Sequence, residues 1–521
     1  MRLTRHARFG SLALFTIAAT AAEAQLRVAV WNISNYGGGR AADLQTSIYG
    51  SFEGRSMSPD VIATQEFLSV SAVSSFLTIL NTAPGSPGDW AAAPFIDGPD
   101  TDNAFFYRTS KVTLLNTVIA AAGAPVTTDQ PRHTVRYDFR PVGYAAPETA
   151  VGLYSIHMKA GSASSDQSRR LIEAQRIRDN ARGINTNGPG TALPAGFNFI
   201  VGGDFNIQSS SQAAYQKLVG VDGNVAGRFF DPIVTPGSWN NNGNFRFVHT
   251  QDPIGAGGMD DRHDQILISA SLVDGAGLTY LGNPSVPYST STWNDPNHSY
   301  RSWGNDGTSF DVQLKTVGNT MVGPAIAQAL KNVCNGAGHL PVFLDLLLPP
   351  TIDAPTIIDF GDVPQGSFAQ QILMVVNDAD VSLWGANGIS DLNYSLSASA
   401  GVTAPVGSFV SGAGSAPNAH EITIDTSAVG PFNGTVTITS DAPDAPVSIV
   451  TIVGNVVVSC APDVNGDGQV DILDLLEFLD AFSACDGQPT PCGSINPDFT
   501  GDGFVDVLDL LEFLDLFSQG C

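Results

Sequence analysis

The chain is expected to be an α+β protein in three parts, an α/β front, an all-β middle and a small helical end, and three observations carry that expectation. Residues 25–348 alternate short apolar runs with helical stretches. Near residue 350 the composition shifts to Val, Ile, Thr, Ser and Gly, with turn residues every 8–12 positions or so. The octapeptide LDLLEFLD then occurs at 473–480 and again, unchanged, at 508–515, a period of 35. A length of 521 residues gives each part room for its own core.

The first 24 residues read as a cleavable export signal. Arg2, Arg5 and Arg8 precede an apolar run from Leu12 to Ala22, and Ala22-Glu23-Ala24 supplies small residues for cleavage. A secreted or cell-surface protein beginning at Gln25 is expected. No later apolar stretch approaches the roughly 18–20 residues of a membrane helix.

In the front segment the sharpest helical pattern is 166–184, which places Leu171, Ala174, Ile177 and Ala181 on one face. Its arginines, 169, 170, 176, 178 and 182, alternate with Asp166, Glu173 and Asp179, the pattern of a solvated helix face rather than a phosphate groove. The middle segment, 352–456, contains runs such as QQILMVV, HEITIDTS and VSIVTIVGNV, each bounded by turn residues, and is expected to form a β-sandwich.

Charge is uneven. Residues 1–331 hold all 24 Lys and Arg with 26 acids, whereas 332–521 hold 24 acids and no base. Such a tail repels polyanions and suits cation binding. Four of the five cysteines (460, 485, 492 and 521) lie in the last 62 residues, where an exported protein keeps disulfides. They admit three pairings; Cys460–Cys521 with Cys485–Cys492 closes the ends and one short loop. Cys334 is left over, with no chemistry assigned.

Polar residues end or follow the apolar runs of the front segment in a fixed order: Asn32, Glu66, His157, Asp204 with Asn206, Asp264 and His339. Carboxylates, amides and imidazoles at strand ends suit metal-assisted phosphoester hydrolysis. Asp204 can take a proton from water, Asn206 two residues on can orient that water, and Glu66 supplies hard oxygen for a divalent cation, supported by Asn32. His157 and His339 can donate to phosphoryl oxygens, and Asp264 can anchor the geometry. Lys159 and Arg132 are candidate substrate contacts. In the loop 296–310, Asn305, Asp306 and Thr308 are either cation ligands or a plain turn.

These residues stand in VWNIS, PDVIATQEF, YSIHMKAG, GGDFN, RHDQILIS and GHLPV, and with them residues 26–348 resemble the endonuclease/exonuclease/phosphatase superfamily. The resemblance implies a four-layer sandwich of two packed sheets flanked by helices, a Mg²⁺ or Mn²⁺ ion on Glu66, and in-line attack of water on a phosphoester, nucleic acid included. The family's final motif is Ser-Asp-His, and here Gly338 precedes His339. The expectation is that the carboxylate orienting His339 is missing. A weak enzyme, or an inactive fold kept as a binding or scaffold module, is the alternative; Asp260 or Asp261 could supply the group.

The middle segment resembles the immunoglobulin-like modules of secreted bacterial proteins, which implies a spacer or interaction surface. In the tail, Asp463, Asn465, Asp467, Gln469, Asp471 and Asp474 fall at positions 1, 3, 5, 7, 9 and 12 of a calcium loop, and Asp498, Thr500, Asp502, Phe504, Asp506 and Asp509 repeat them. Gln469 and Phe504 would give backbone carbonyls. Each loop runs into a helix with none before it. Two such half EF-hands bounded by cysteines resemble a dockerin domain, which implies bound Ca²⁺ and a cohesin-like partner. Positions 10 and 11, Ile472-Leu473 and Val507-Leu508, lack the Ser or Thr usual in dockerins.

Overall fold

The computed structural model describes residues 25–187, 190–221, 223–336, 338–458, 460–493 and 495–520. The export signal at 1–24 lies outside the described residues, as do Ala337 and Cys521, and with Cys521 the Cys460–Cys521 pairing.

The front segment contains two sheets. In one, the order is Thr279–Tyr280, Val342–Leu347, Leu26–Tyr36, Val61–Phe67, Asp102–Arg108 and Trp90–Ala92, with Arg301–Ser302 also paired to Val342–Leu347. In the other it is Val112–Ala121, Thr134–Pro141, Val151–His157, Asn198–Asp204, Asp264–Ser269 and Phe229–Phe230. The strand Leu26–Tyr36 shows why its sequence is a continuous apolar run. Leu26, Val28 and Val30 pack towards the second sheet, against a core that includes Val135, Leu153, Ile200 and Ile266. Ala29, Trp31 and Ile33 point the other way, into helices Ala41–Tyr49, Val70–Thr82 and Gly323–Val333. Alternate side chains leave opposite faces, and both faces are buried. The outer face of the second sheet, with Tyr154, Ile156, Val201 and Leu267, is covered by helices Ser164–Ala181 and Ala213–Val219. The layers therefore run helix, sheet, sheet, helix.

The helix expected over 166–184 spans Ser164–Ala181, and Ala174, Ile177 and Ala181 are buried while Leu171 is half-buried. Arg182 and the serines are exposed as that expectation has it, but Arg170, Glu173 and Arg178 are not solvated. Arg170 donates to the carbonyls of Lys159 and Gly161, and Arg178 to those of Lys217, Gly220 and Asn224. These guanidiniums hold loop ends that have no sheet partner, which buries Arg170 and Arg178 to 1% and 3% exposure.

Glu173 on the same helix is fully buried, with Oε1 accepting from Thr134 Oγ1 at 2.8 Å and Oε2 unpartnered. Burial raises its pKa to about 7, against the opposing pull of the Thr134 bond, Arg132 and Arg176. A carboxyl whose folded pKa lies above its unfolded value stabilises the fold below the unfolded pKa, and that stabilisation is lost as pH rises through about 7. Glu173→Gln is therefore expected to raise stability at pH 8 by on the order of 1–3 kcal/mol, with the difference vanishing below about pH 4.5. Denaturant titrations of both proteins at the two pH values check this; an unchanged gap overturns it.

The middle segment is a pair of sheets around one core. One has the order Ile352–Asp353, Gln370–Asn377, Asn418–Ile424, Val402–Thr403; the other Ile357–Pro364, Val447–Val457, Gly430–Ser440, Leu392–Ala398, Ser408–Ser411. Leu373, Ile422, Val436, Ile438 and Ile452 fill the space between them. The segment is not hung from a free linker. Leu348 N donates to Gly388 O at 2.9 Å and Leu348 O accepts from Ser390 N at 2.8 Å, joining the last front strand to the middle segment. Trp384, 1% exposed, enters the front domain's own core, with Lys111 Nζ 4.9 Å from its ring centroid, and Tyr144 Oη donates to Pro349 O at 2.6 Å.

The tail holds two helices, Ile472–Cys485 and Val507–Gln519, with the rings of Phe478 and Phe513 stacked at 3.9 Å and Phe499 edge-on to both at 5.2 Å. Cys485 and Cys492 form a disulfide.

Candidate active site and calcium loops

Register builds the site. His157 lies opposite Asp204 in the parallel pair of Val151–His157 and Asn198–Asp204, and Asp264 lies opposite Asp204 in the antiparallel pair with Asp264–Ser269. Three adjacent strands thus deliver an imidazole and two carboxylates side by side. The other sheet contributes Asn32 and Glu66. Asn32 Nδ2 donates to Glu66 Oε1 at 2.9 Å and to Asp204 Oδ2 at 3.1 Å, so one amide ties the two sheets at this end. Asn35 N donates to Glu66 Oε2 at 2.8 Å. Glu66 has φ of 65°, a left-handed conformation uncommon for a residue with a side chain, and the strand pairing shifts register beside it.

Asp204 Oδ2 is the centre of the cluster. His157 Nε2 lies 3.4 Å from it and His339 Nε2 3.8 Å, while His157 Nδ1 is 3.8 Å from Glu66 Oε1. On its other side His339 Nδ1 is hydrogen-bonded to Asp264 Oδ2 at 2.8 Å, and Trp31 Nε1 holds the His339 carbonyl at 3.1 Å. The expectation that Gly338 leaves His339 without a carboxylate is corrected here: Asp264, 75 residues away in sequence, is its partner. Asp261 is occupied by Asn240 Nδ2, 3.1 Å from each of its oxygens.

Other sequence expectations change in detail. The strand ends at Asp204 and Asn206 has φ of 51°, so Asn206 does not continue the extended run that carries Asp204. Asn206 N donates to Asp204 Oδ1 at 3.0 Å and its Nδ2 to Met158 O at 3.1 Å, so Asn206 braces Asp204 and the chain after His157. Lys159 pairs with Asp166 at 3.2 Å. Arg132 pairs with Asp100 at 3.0 Å and reaches the His157 carbonyl at 3.5 Å, which puts it beside the cluster. Asn305 donates to the carbonyls of Arg246 and His249, and Asp306 accepts from Thr308 and Thr320, so the 296–310 loop is a braced turn.

Sequence reading missed four supporting residues. Thr250 Oγ1 accepts from Asp264 N at 3.1 Å, and a chain from Gln65 Nε2 to Ser155 Oγ (2.9 Å) and on to Asn103 Oδ1 (3.0 Å) runs behind the cluster. Gln65 adjoins Glu66 in PDVIATQEF, the one signal that could have found it. His263, 8% exposed, has neither ring nitrogen hydrogen-bonded and lies 3.7 Å from Asp261.

The electrostatics separate the two histidines. Burial opposes a proton on His339, but Asp264 and then Asp204 outweigh it and raise its pKa to about 10. Burial, with Arg132 and His339 adding positive charge nearby, holds His157 well below its ordinary value and therefore neutral. Asp204 is pushed up, first by burial, with His339 opposing and Asp264 and Glu66 adding repulsion. Three carboxylates thus surround one imidazolium, and Asp264 Oδ1 is buried without a hydrogen-bond partner. Ligand atoms of Asp204, Asp264 and His339 lie within 4.8 Å of one another. Excess negative charge, the hard oxygens of Glu66, Asp204 and Asp264 and an orphaned carboxylate oxygen fit a divalent cation, whereas the protonated His339 has no lone pair to offer one.

The tail loops are closed on their own carboxylates. Asp463 accepts from Asp467 N at 3.1 Å and Gly468 N at 2.8 Å, as Asp498 does from Asp502 N at 3.2 Å and Gly503 N at 2.9 Å. The buried Asp474 and Asp509 each accept from two backbone amides, and Thr500 Oγ1 donates to Asp509 at 2.9 Å. Gly468 and Gly503 take the sharp turn at φ of 86° and 90°. With no Lys or Arg in residues 332–521, these carboxylates have no side-chain base to neutralise them, which fits Ca²⁺. Chelation by EDTA is expected to melt residues 460–521, seen as lost helical circular dichroism and new protease cleavage there, both reversed by Ca²⁺. A spectrum indifferent to EDTA would refute it.

Residues 461–513 match the dockerin type I domain. No curated protein matches the chain. Among solved structures the chain is similar to an endonuclease/exonuclease/phosphatase family protein from Bacteroides thetaiotaomicron, at 15% identity over 62% of this chain and 97% of that one, TM-score 0.33. It is also similar to a mannosyl-6-phosphatase from the same organism, at 16% identity over 62% and 100%, TM-score 0.33. A third is an endonuclease/exonuclease/phosphatase from Beutenbergia cavernae, at 11% identity over 82% and 99%, TM-score 0.33. Among the described residues, no helix is long and apolar enough to cross a membrane.

Proposed function

We propose that this chain, with a dockerin type I domain at residues 461–513, is an exported, divalent-metal-dependent phosphoesterase held in an extracellular assembly through that domain. The observation that carries the catalytic reading is the His339 imidazole, hydrogen-bonded to Asp264 at 2.8 Å on one side and 3.8 Å from Asp204 on the other. A protonated histidine aimed into a cluster of carboxylates suits stabilisation of negative charge on a phosphoryl group.

In this reading Asp204 takes the proton of the attacking water. Its raised pKa makes it a stronger base than an ordinary carboxylate, and Asn32 and Asn206 fix its two oxygens. His339 donates to a phosphoryl oxygen, the neutral His157 donates from the other flank, and Arg132 meets substrate at the rim. Glu66, braced by Asn32 and Asn35, would hold Mg²⁺ or Mn²⁺, which supplies charge neutralisation as a Lewis acid. The substrate is a phosphodiester or phosphomonoester, nucleic acid included. The Asp264 bond to His339 supports an enzyme over the inactive scaffold that Gly338 and the acidic tail would permit.

The middle segment, immunoglobulin-like in this reading, spaces the enzyme from the tail, whose Ca²⁺-loaded loops engage a cohesin-like protein. Hydrolysis of bis(p-nitrophenyl) phosphate, DNA and RNA by the full chain tests the proposal. Turnover that requires Mg²⁺ or Mn²⁺ supports it, and a folded chain silent on every substrate with both metals overturns it.

A further inference from the structure

A cavity of about 260 Å³ opens among Arg27, Arg55, Trp293, Arg301, Met321 and Phe343. Arg27 begins the strand that carries Asn32 five residues later, so the cavity lies roughly 16 Å along that strand from the catalytic end.

The lining is rich in guanidinium. Three guanidiniums face it, and the carboxylate among them, Asp345, is taken by Arg27 at 2.7 and 3.0 Å. Arg55 pairs at the rim with the exposed Glu53 and donates to the carbonyls of Met321 and Thr320, and it lies 5.2 Å from the Trp293 ring centroid. Arg301 directs its hydrogen bonds to neutral oxygens, the carbonyls of Asp295, His298 and Tyr300 and the amide oxygen of Asn294. Trp293, Met321 and Phe343 supply the apolar lining, with the Arg27 guanidinium 4.2 Å from the Phe343 ring centroid. Guanidinium recognises carboxylate and phosphate, and an apolar wall with a few placed polar groups is how small-molecule pockets are built.

We infer that this cavity is a second binding site, for a small ring compound carrying one anionic group, the anion held by Arg301 and Arg55 and the ring seated against Trp293. Phosphate and carboxylate share the recognition, so both are tested. Calorimetric titration of the full chain with phenylphosphonate and with benzoate is expected to give saturable binding of at least one, and which one identifies the anion; neutral benzyl alcohol should not bind. Arg301→Gln and Arg55→Gln should each weaken binding by about tenfold or more at an unchanged melting temperature, and either variant suffices if the other fails to fold. Asp204→Ala should leave the affinity unchanged.

Saturable binding of neither anion overturns the inference, as does benzyl alcohol binding equally well. Binding that is lost in Asp204→Ala but kept in both arginine variants would assign the anions to the catalytic cluster and overturn it too.

Discussion

Replacing Asp264 with asparagine is expected to lower turnover by on the order of 10⁴, as when the carboxylate behind a catalytic histidine is lost in a hydrolytic triad. Asparagine keeps the shape but removes the charge that does most to raise His339 to about 10. The pH profile should show it. In the natural protein His339 keeps its proton across neutral pH and loses it only near 10, so the alkaline limb lies far from neutrality. In Asp264→Asn the proton is lost at lower pH, and the residual rate should fall between about pH 6 and 8, where the parent is flat. Measurement of kcat/KM from pH 5 to 9, with circular dichroism as the control for folding, decides it. A rate within about tenfold of the parent would make Asp264 merely structural.

Gly338→Asp, which restores the sequence of the resembled family, is expected to damage the protein rather than repair it. Gly338 has φ of 82°, and a Cβ there would lie 2.3 Å from Cys334 Sγ and 2.4 Å from Cys334 Cβ. A left-handed residue with a side chain and an overfilled contact together are expected to cost about 2–5 kcal/mol. No catalytic gain offsets this, because His339 Nδ1 already has Asp264. Gly338→Ala, with the same Cβ and no carboxylate, should show most of the same loss. Thermal unfolding and turnover of the three proteins test the point, and faster turnover by Gly338→Asp at an unchanged melting temperature would overturn it.

What could be read from sequence was what is local along the chain. The calcium loops are the clearest case, because their side-chain contacts fall within a dozen residues and the glycine turn sits among them. Strand-end residues such as Asn32, Glu66, His157 and Asp204 were visible because an apolar run aims its last polar residue at the sheet end. Partnerships across the chain were not visible. Adjacency made position 338 look decisive for His339, whereas strand register delivers Asp264 from another sheet position. The mixed charges of Ser164–Ala181 read as solvated because nothing in that helix tells of the carbonyls at 159–161 and 217–224 that its arginines collect. The cavity beside Arg27 joins residues as far as 318 apart, and no motif spans that distance.

Trp384 has a consequence for where the molecule can be divided. Sequence alone would place the scissors at Pro349-Pro350, but a fragment ending there would present water with the apolar floor on which the indole rests and would leave both backbone groups of Leu348 without their partners. The smallest sound version of the front segment therefore runs to about residue 457, and a silent assay on anything shorter would report on the cut and not on the chemistry.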